Sequence, residues 1–243
     1  LVWQTAGRYP DRKSAQQNIY SHRFHDIAEH HHYHTDKFVQ AINLIKMDSL
    51  RDQHLVFMPG MDGTGLSIEP VLPFLPKETE ITVVRYPADK LLSFDETVEC
   101  AAALIPAGDL PIVIAESFSG PVAIKMIGSG RVKAKALILC ATFAKSPRPV
   151  VWRVMRFLRL PLLIKPDMPR RFFRFVIGDD ALIDELLPLW KKVNAQVPAR
   201  VMQHRLKIIN EIDVTLWLAK IKIPCCYFQA LNDRLVPASC AEI

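Results

Sequence analysis

An α/β fold, a mostly parallel sheet with helices on both faces, is the architecture this sequence predicts. Two observations carry the prediction. Five short apolar runs, Leu55–Met58, Ile81–Arg85, Ile112–Ala115, Ala134–Ala141 and Ile223–Gln229, are too brief for helices and read as buried strands. Helical patterns alternate with most of them, and that alternation argues a parallel sheet covered on its two sides.

Composition sets the outer bounds. A length of 243 residues suits one α/β domain with an insertion and is enough for a substantial core. Half of the residues are apolar and 23% are charged, the balance of a globular protein. The net charge of +6 is modest, and no helix-turn-helix, zinc finger or aromatic RNA platform accompanies it, so nucleic acid is not an expected partner. No apolar stretch reaches the ~18 residues of a spanning helix, and the start at Leu1 lacks the order of a secretory signal. Cys100, Cys140, Cys225, Cys226 and Cys240 are odd in number and mostly embedded in apolar runs, which fits buried thiols in a reducing compartment. A soluble cytoplasmic protein is the expectation.

Residues 1–52 form a poorly defined N-terminal segment ahead of a domain expected over 53–243. Phe38, Ala41, Ile42 and Ile45 recur at helical spacing. Before them lie His22, His25, His30, His31, His32 and His34, with Asp26 and Glu29 nearby. His30 and His34 could share a helical face around a metal. No HExxH pattern and no distant further ligand supports that, so the cluster reads as a solvated polar segment and neither metal nor cofactor is expected.

The strand Leu55–Met58 runs into PGMDGTG at Pro59–Gly65, where three glycines within six residues permit a tight turn with exposed backbone N–H groups. This turn is neither a P-loop nor a dinucleotide fingerprint. A helix is expected around Glu69–Leu75, then the strand Ile81–Arg85 and the loop YPAD. The next helix, Phe94–Leu104, begins with Asp95 and Glu96, which complement its dipole.

Ile112–Ala115 leads into Glu116, Ser117, Phe118, Ser119 and Gly120, followed by the helical pattern Pro121–Ile127. A serine on the corner between strand and helix is the arrangement of a nucleophile elbow, GxSxG in its usual form. There the serine is strained and its neighbours must be small to clear the adjoining backbone. Ala115 and Ser119 occupy the small positions. A buried strand followed by a Ser-capped helix would read the same way.

From about 145 to 218 the strand pattern stops and helical patterns take over. Arg153, Arg156 and Arg159 alternate with apolar residues, and a second basic aromatic cluster follows at Arg170, Arg171, Phe172, Phe173, Arg174 and Phe175. Amphipathic helices with solvated arginines account for this pattern. So does a substrate lid in which Trp152, Phe157, Leu158, Phe172 and Phe173 form an apolar pocket, or a face that rests weakly on an anionic lipid surface. After Ile223–Gln229 comes ALNDRLVP, with Asp233 in a polar turn.

LVFMPGMDGTG after the first core strand, AESFSG at the corner and ALNDRLVP after a late strand together resemble the α/β-hydrolase superfamily from about Leu55 to Pro237. The wording is similar to the hydrolase-like part of plant phytyl ester synthases. The resemblance implies the α/β-hydrolase fold with a helical lid. It also implies Ser117 as nucleophile, Asp233 as the acid that orients a histidine, and the backbone N–H groups of Met61 and Phe118 as the oxyanion hole. In the family the histidine follows the acid at the end of the last strand, but the ten residues from Arg234 to Ile243 contain none. The expectation is therefore a fragment truncated before the last strand, with His54 and His204 outside the family position.

The function this implies is that of a serine hydrolase cleaving a carboxylic ester or thioester through an acyl-enzyme, with an apolar acyl substrate as its small-molecule partner. Acyl transfer to an alcohol acceptor is a second possibility, and a non-catalytic binding protein of hydrolase fold, lacking the base, is a third.

Overall fold

A computed structural model describes residues 52–147, 170, 174, 180–229, 233 and 235–241. Five strands, β1 (His54–Met58), β2 (Glu80–Val83), β3 (Ile112–Glu116), β4 (Ala136–Cys140) and β5 (Cys225–Phe228), make one sheet in the order β2-β1-β3-β4-β5. All four pairings are parallel, with Val56 opposite Val113, Val113 opposite Leu137, and Leu137 opposite Cys225. The parallel sheet expected from the sequence is present.

Strand side chains alternate between faces, and the burial follows that alternation. Val56, Met58, Val113, Ala115, Leu137, Leu139 and Tyr227 lie in the larger core. Against them pack α1 (Phe94–Ala102) through Val98 and Ala101 and α2 (Ser119–Gly128) through Val122, Ile124 and Met126. Leu55, Phe57, Ile114, Cys140 and Phe228 point into the second core with Ile68, Val71 and Leu75. Helix α1 starts at a capping box: Glu96 N–H donates to Ser93 Oγ at 3.2 Å, and Ser93 N–H donates to Glu96 Oε2 at 2.7 Å.

The helix expected over Glu69–Leu75 is a correction. Two 3-10 turns stand there, Leu66–Ile68 and Leu72–Phe74. Pro70 lacks the N–H that a continuous helix needs, and the chain closes with short bonds, Glu69 N–H to Leu66 O at 3.1 Å and Val71 N–H to Ile68 O at 2.8 Å. Ile68, Val71 and Leu75 of this stretch are buried in the second core all the same.

Between β4 and β5 the described residues are helical: α3 (Asp180–Gln196), α4 (Ala199–Glu211) and the single turn α5 (Thr215–Leu218). Val201, Met202, Arg205, Leu206, Ile208 and Ile209 of α4 are buried, an apolar stripe at helical spacing that carries one charge. No described helix is long and apolar enough to cross a membrane. The N-terminal histidines, the helical pattern at Phe38–Ile45 and the aromatic residues Trp152, Phe157, Leu158, Phe172 and Phe173 lie outside the described residues.

The chain leaves the sheet after β4 and returns to it before β5 at one point. Lys145 and Asp213 form an antiparallel bridge, flanked by Ser146 N–H to Ile212 O at 3.0 Å and Val214 N–H to Ala144 O at 2.8 Å. Asp213 Oδ1 accepts Thr215 Oγ1–H at 2.7 Å and Thr215 N–H at 3.2 Å, and Oδ2 faces Lys145 Nζ at 2.9 Å. The Thr215 hydroxyl first, and then Lys145, hold the Asp213 carboxyl down at about 2.

A carboxylate depressed below its unfolded value of about 3.9 adds stability above that value and loses it as pH falls through the folded one. Asp213→Asn keeps the side-chain oxygen for Thr215 and removes the charge. Urea midpoints are therefore expected to fall in the variant at pH 7, with the gap to the parent closing as pH drops from about 4 towards 2. A gap independent of pH would remove the charge from the account.

Candidate active site

Because all strands are parallel, the segments that follow them leave on one edge of the sheet. Ser117 follows β3, the Pro59–Gly65 loop follows β1, and Asp233 lies beyond β5. The order β2-β1-β3 reverses direction between β1 and β3, and crevices at such reversals are where open α/β sheets bind ligands. Ser117 and Met61 sit on the two sides of that crevice.

Ser117 has φ of 48°, in the left-handed region that L residues avoid. Its N–H donates to Cys140 O at 3.0 Å, and its carbonyl accepts from Gly120 N–H at 3.0 Å and from Thr142 Oγ1. The sharp corner needs α2 to enter close to the strand after β4. A Cβ at Gly120 would stand 1.9 Å from Thr142 Oγ1, so glycine is the residue that fits. Ser119, where GxSxG has its second glycine, is fully buried, and its hydroxyl donates to Pro59 O and meets Tyr86 Oη at 2.7 Å. The elbow and the loop after β1 are thus tied through one serine.

In the loop, Gly63 N–H donates to Gly60 O at 3.1 Å, and Asp62 Oδ1 accepts Thr64 N–H at 2.8 Å and the Thr64 hydroxyl. Gly63 has φ of 70°, and a Cβ there would lie 2.5 Å from Arg205 Nη1. Tyr86 N–H donates to Gly63 O at 2.9 Å, and the Tyr86 ring meets Phe118 edge-on, centroids 6.0 Å apart. Among the described residues, no hydrogen bond is made by the N–H of Met61 or of Phe118.

Several polar groups at this edge escaped the sequence reading. Ser67 Oγ donates to Glu116 Oε2 at 2.8 Å. Burial raises the Glu116 carboxyl above its ordinary range against the lowering effect of Ser67, and Asp62 adds to the rise. Burial pushes the Tyr86 phenol and the Cys140 thiol up as well. Arg205, from α4, is buried and donates to three main-chain carbonyls. Its one sequence signal is its place on the apolar stripe of α4, between Met202 and Leu206.

Asp233 Oδ1 accepts Leu235 N–H at 2.8 Å and Val236 N–H at 2.9 Å, a turn that also orders its carboxylate. Neither described histidine is near the elbow by contact. His54 opens β1 at the opposite edge, where it bonds Asp109 through Nδ1 and Thr82 Oγ1 through Nε2 at 2.8 Å. His204 Nε2 donates to Leu92 O at 2.9 Å. Arg170 is ion-paired with Asp184, with Nη2 3.1 Å from Oδ2, a surface pair of small energetic weight. Among the described residues no three His, Cys, Asp or Glu side chains converge as metal ligands would.

The strain at Ser117 is testable without reference to chemistry. Ser117→Gly relieves the left-handed backbone, while Ser117→Ala keeps it, so the glycine variant is expected to be the more stable by about 1 kcal/mol in denaturant titration. Gly120→Ala is expected to lose about 1–3 kcal/mol through overpacking against Thr142. An alanine at 120 as stable as the parent would contradict the close approach described above.

No family model matches the chain, and no curated protein matches it. Solved structures do. A hydrolase from Pseudomonas aeruginosa PA01 aligns with a TM-score of 0.59 at 18% identity, over 78% of this chain and 76% of its own. A lipase-esterase related protein from Clostridium acetobutylicum ATCC 824 aligns with 0.60 at 15%, over 79% and 80%. The enol-lactonase from Burkholderia xenovorans LB400 aligns with 0.58 at 11%, over 78% and 77%. Likeness at this level of identity speaks to architecture, and together with the sheet order and the strained serine after β3 it gives the result: this chain has the α/β-hydrolase fold.

Proposed function

We propose that this protein is a serine hydrolase that cleaves a carboxylic ester or thioester through an acyl-enzyme. The observation that carries the reading is Ser117 at φ of 48°, on the corner after β3, with the N–H groups of Met61 and Phe118 making no hydrogen bond among the described residues. Strain in a non-glycine residue persists where the surrounding structure enforces it, and such residues cluster at functional sites. In this reading Ser117 Oγ attacks the acyl carbon, and the carbonyl oxygen becomes an oxyanion facing the N–H groups of Met61 and Phe118. The bond to the alcohol or thiol then breaks, and water releases the acid from the Ser117 ester. Asp233 is the proposed acid that orients a histidine. Hydrolases, a lipase-esterase related protein and a lactonase among structures of the same fold support the reaction class.

The free state of all five cysteines supports a reducing, cytoplasmic setting. A non-catalytic binding role is the second reading, favoured by one observation: the two described histidines are bonded elsewhere. A fluorophosphonate probe separates the two. Slow labelling at Ser117, found by mass spectrometry and absent from Ser117→Ala, is expected, and the alanine variant should lose up to on the order of 10⁶ in any esterase rate. Labelling that persists in the alanine variant would reject Ser117. For substrate class, the proposed lid of Trp152, Phe157, Phe172 and Phe173 predicts a specificity constant that rises from p-nitrophenyl acetate to octanoate. Each buried methylene contributes up to ~0.8 kcal/mol. A steady decline along the series would defeat the lid and leave Ser117 untouched.

A further inference from the structure

Arg205 is a buried charge that the proposed reaction leaves unused. It stands on α4, in the helical segment between β4 and β5, yet its guanidinium reaches the loops that follow β1 and β2. Nη1 donates to Met61 O at 2.9 Å and to Asp62 O at 2.6 Å, and Nη2 donates to Pro87 O at 3.0 Å. Its Cζ lies 5.6 Å from the centre of the Tyr86 ring. Tyr86 in turn meets Ser119, whose hydroxyl donates to Pro59 O. One rigid fork therefore ties the loop after β1 to the loop after β2, and Gly63 leaves room for it.

From this arrangement we propose that Arg205 is a positioning residue for the oxyanion loop, by which α4 sets the orientation of the peptide planes around Met61. The inference rests on the hydrolase reading for its catalytic consequence and on geometry alone for its structural one. Fixing the Met61 and Asp62 carbonyls towards α4 fixes the peptide units that carry the Asp62 and Gly63 N–H groups, and Gly63 N–H donates to Gly60 O, whose own peptide unit carries the Met61 N–H. A donor aimed in advance at the developing oxyanion needs no reorganisation at the moment of attack. Arg205 is too buried to touch substrate, so it acts through the loop. It also links the helical segment to the elbow through Tyr86 and Ser119: a shift of α4 would release two carbonyls of the loop after β1.

Lysine cannot reproduce the fork, because a single ammonium cannot span the Met61, Asp62 and Pro87 carbonyls in one plane. Arg205→Lys, Arg205→Met and the exposed control Lys207→Met are compared by hydrogen exchange of the 60–65 amides and by the rate of fluorophosphonate labelling. The expected result is loop exchange faster by about tenfold in both Arg205 variants, from lost charge-assisted bonds, with the sheet amides of β3 unchanged. Labelling is expected to slow by about tenfold or more, with kcat for a p-nitrophenyl ester falling and KM nearly constant. Lys207→Met should match the parent in both. Parent-like loop exchange in a folded Arg205→Lys overturns the proposal, and so does global unfolding of both variants, since the device is local. Loosened loop exchange with no labelling even in the parent would uphold the clamp and reject the hydrolase reading. Normal labelling with unchanged exchange would do the reverse.

Discussion

The left-handed backbone at Ser117 is the constraint on which the geometry of this molecule turns. A serine there is less stable than a glycine, so the conformation must be imposed from outside, and three neighbours impose it. Cys140 O accepts the Ser117 N–H, the Thr142 hydroxyl donates to the Ser117 carbonyl, and Gly120 lets α2 close onto Thr142 without a side chain between them. Each depends on β4 lying parallel and in register beside β3, with Glu116 opposite Cys140. Buried apolar strands supply that register: Val113, Ala115, Leu137 and Leu139 face one core, and Ile114 and Cys140 the other. The energy of burying these side chains, on the order of 1.5–3 kcal/mol for each large one, is ample to hold a single strained residue.

A second layer of polar contacts carries this order from the elbow to the neighbouring loop. Ser119, Tyr86 and Arg205 are all buried, and their side-chain hydrogen bonds go to one another or to the carbonyls of Pro59, Met61, Asp62 and Pro87. Polar groups in such a place stabilise only if they are paired, because an unpaired one forfeits its hydration with nothing in return. Burial lowers the Arg205 pKa, and the nearby Asp62 opposes that fall. Glu116 runs the other way, its carboxyl raised mainly by burial. The edge of the sheet thus holds a cation on one side of the loop and a reluctant carboxylate on the other.

The strands were legible because their signal is local: short runs of mostly apolar residues, closed by Pro59 after β1 and by Ser117 after β3. The corner at Ser117 was legible for the same reason, since AESFSG sets small residues around a serine directly after such a run. Glu69–Leu75 misled because its apolar spacing is helical, while Pro70 and Pro73 decide the hydrogen bonding. Arg205 could not be read as a buried group. In α4 an arginine among apolar residues ordinarily extends its stem and keeps its head in water. What keeps this one inside is a set of carbonyls more than a hundred residues away in sequence, and no local pattern encodes them. Tyr86 and Ser67 were invisible on the same ground, each meaningful only through a partner distant in sequence, Ser119 at the start of α2 and Glu116 at the end of β3.

Architecture of this kind is shared by proteins at 11–18% identity that carry different descriptions, so the fold by itself selects no reaction. What narrows the choice is where strain and buried polarity fall. The sheet has two edges, and polar side chains occupy both: His54 with Thr82 and Asp109 at one, Ser117 with its neighbours at the other. At the first, the histidine sits at the start of a regular strand with both ring nitrogens engaged, as a buried polar group at rest should be. At the second, a serine is held in an unfavourable conformation directly before Phe118, whose N–H, like that of Met61 in the loop after β1, makes no hydrogen bond among the described residues. Structural needs explain the first edge completely. The strain at Ser117 sets the second apart from it, which is why the proposed reaction is placed there.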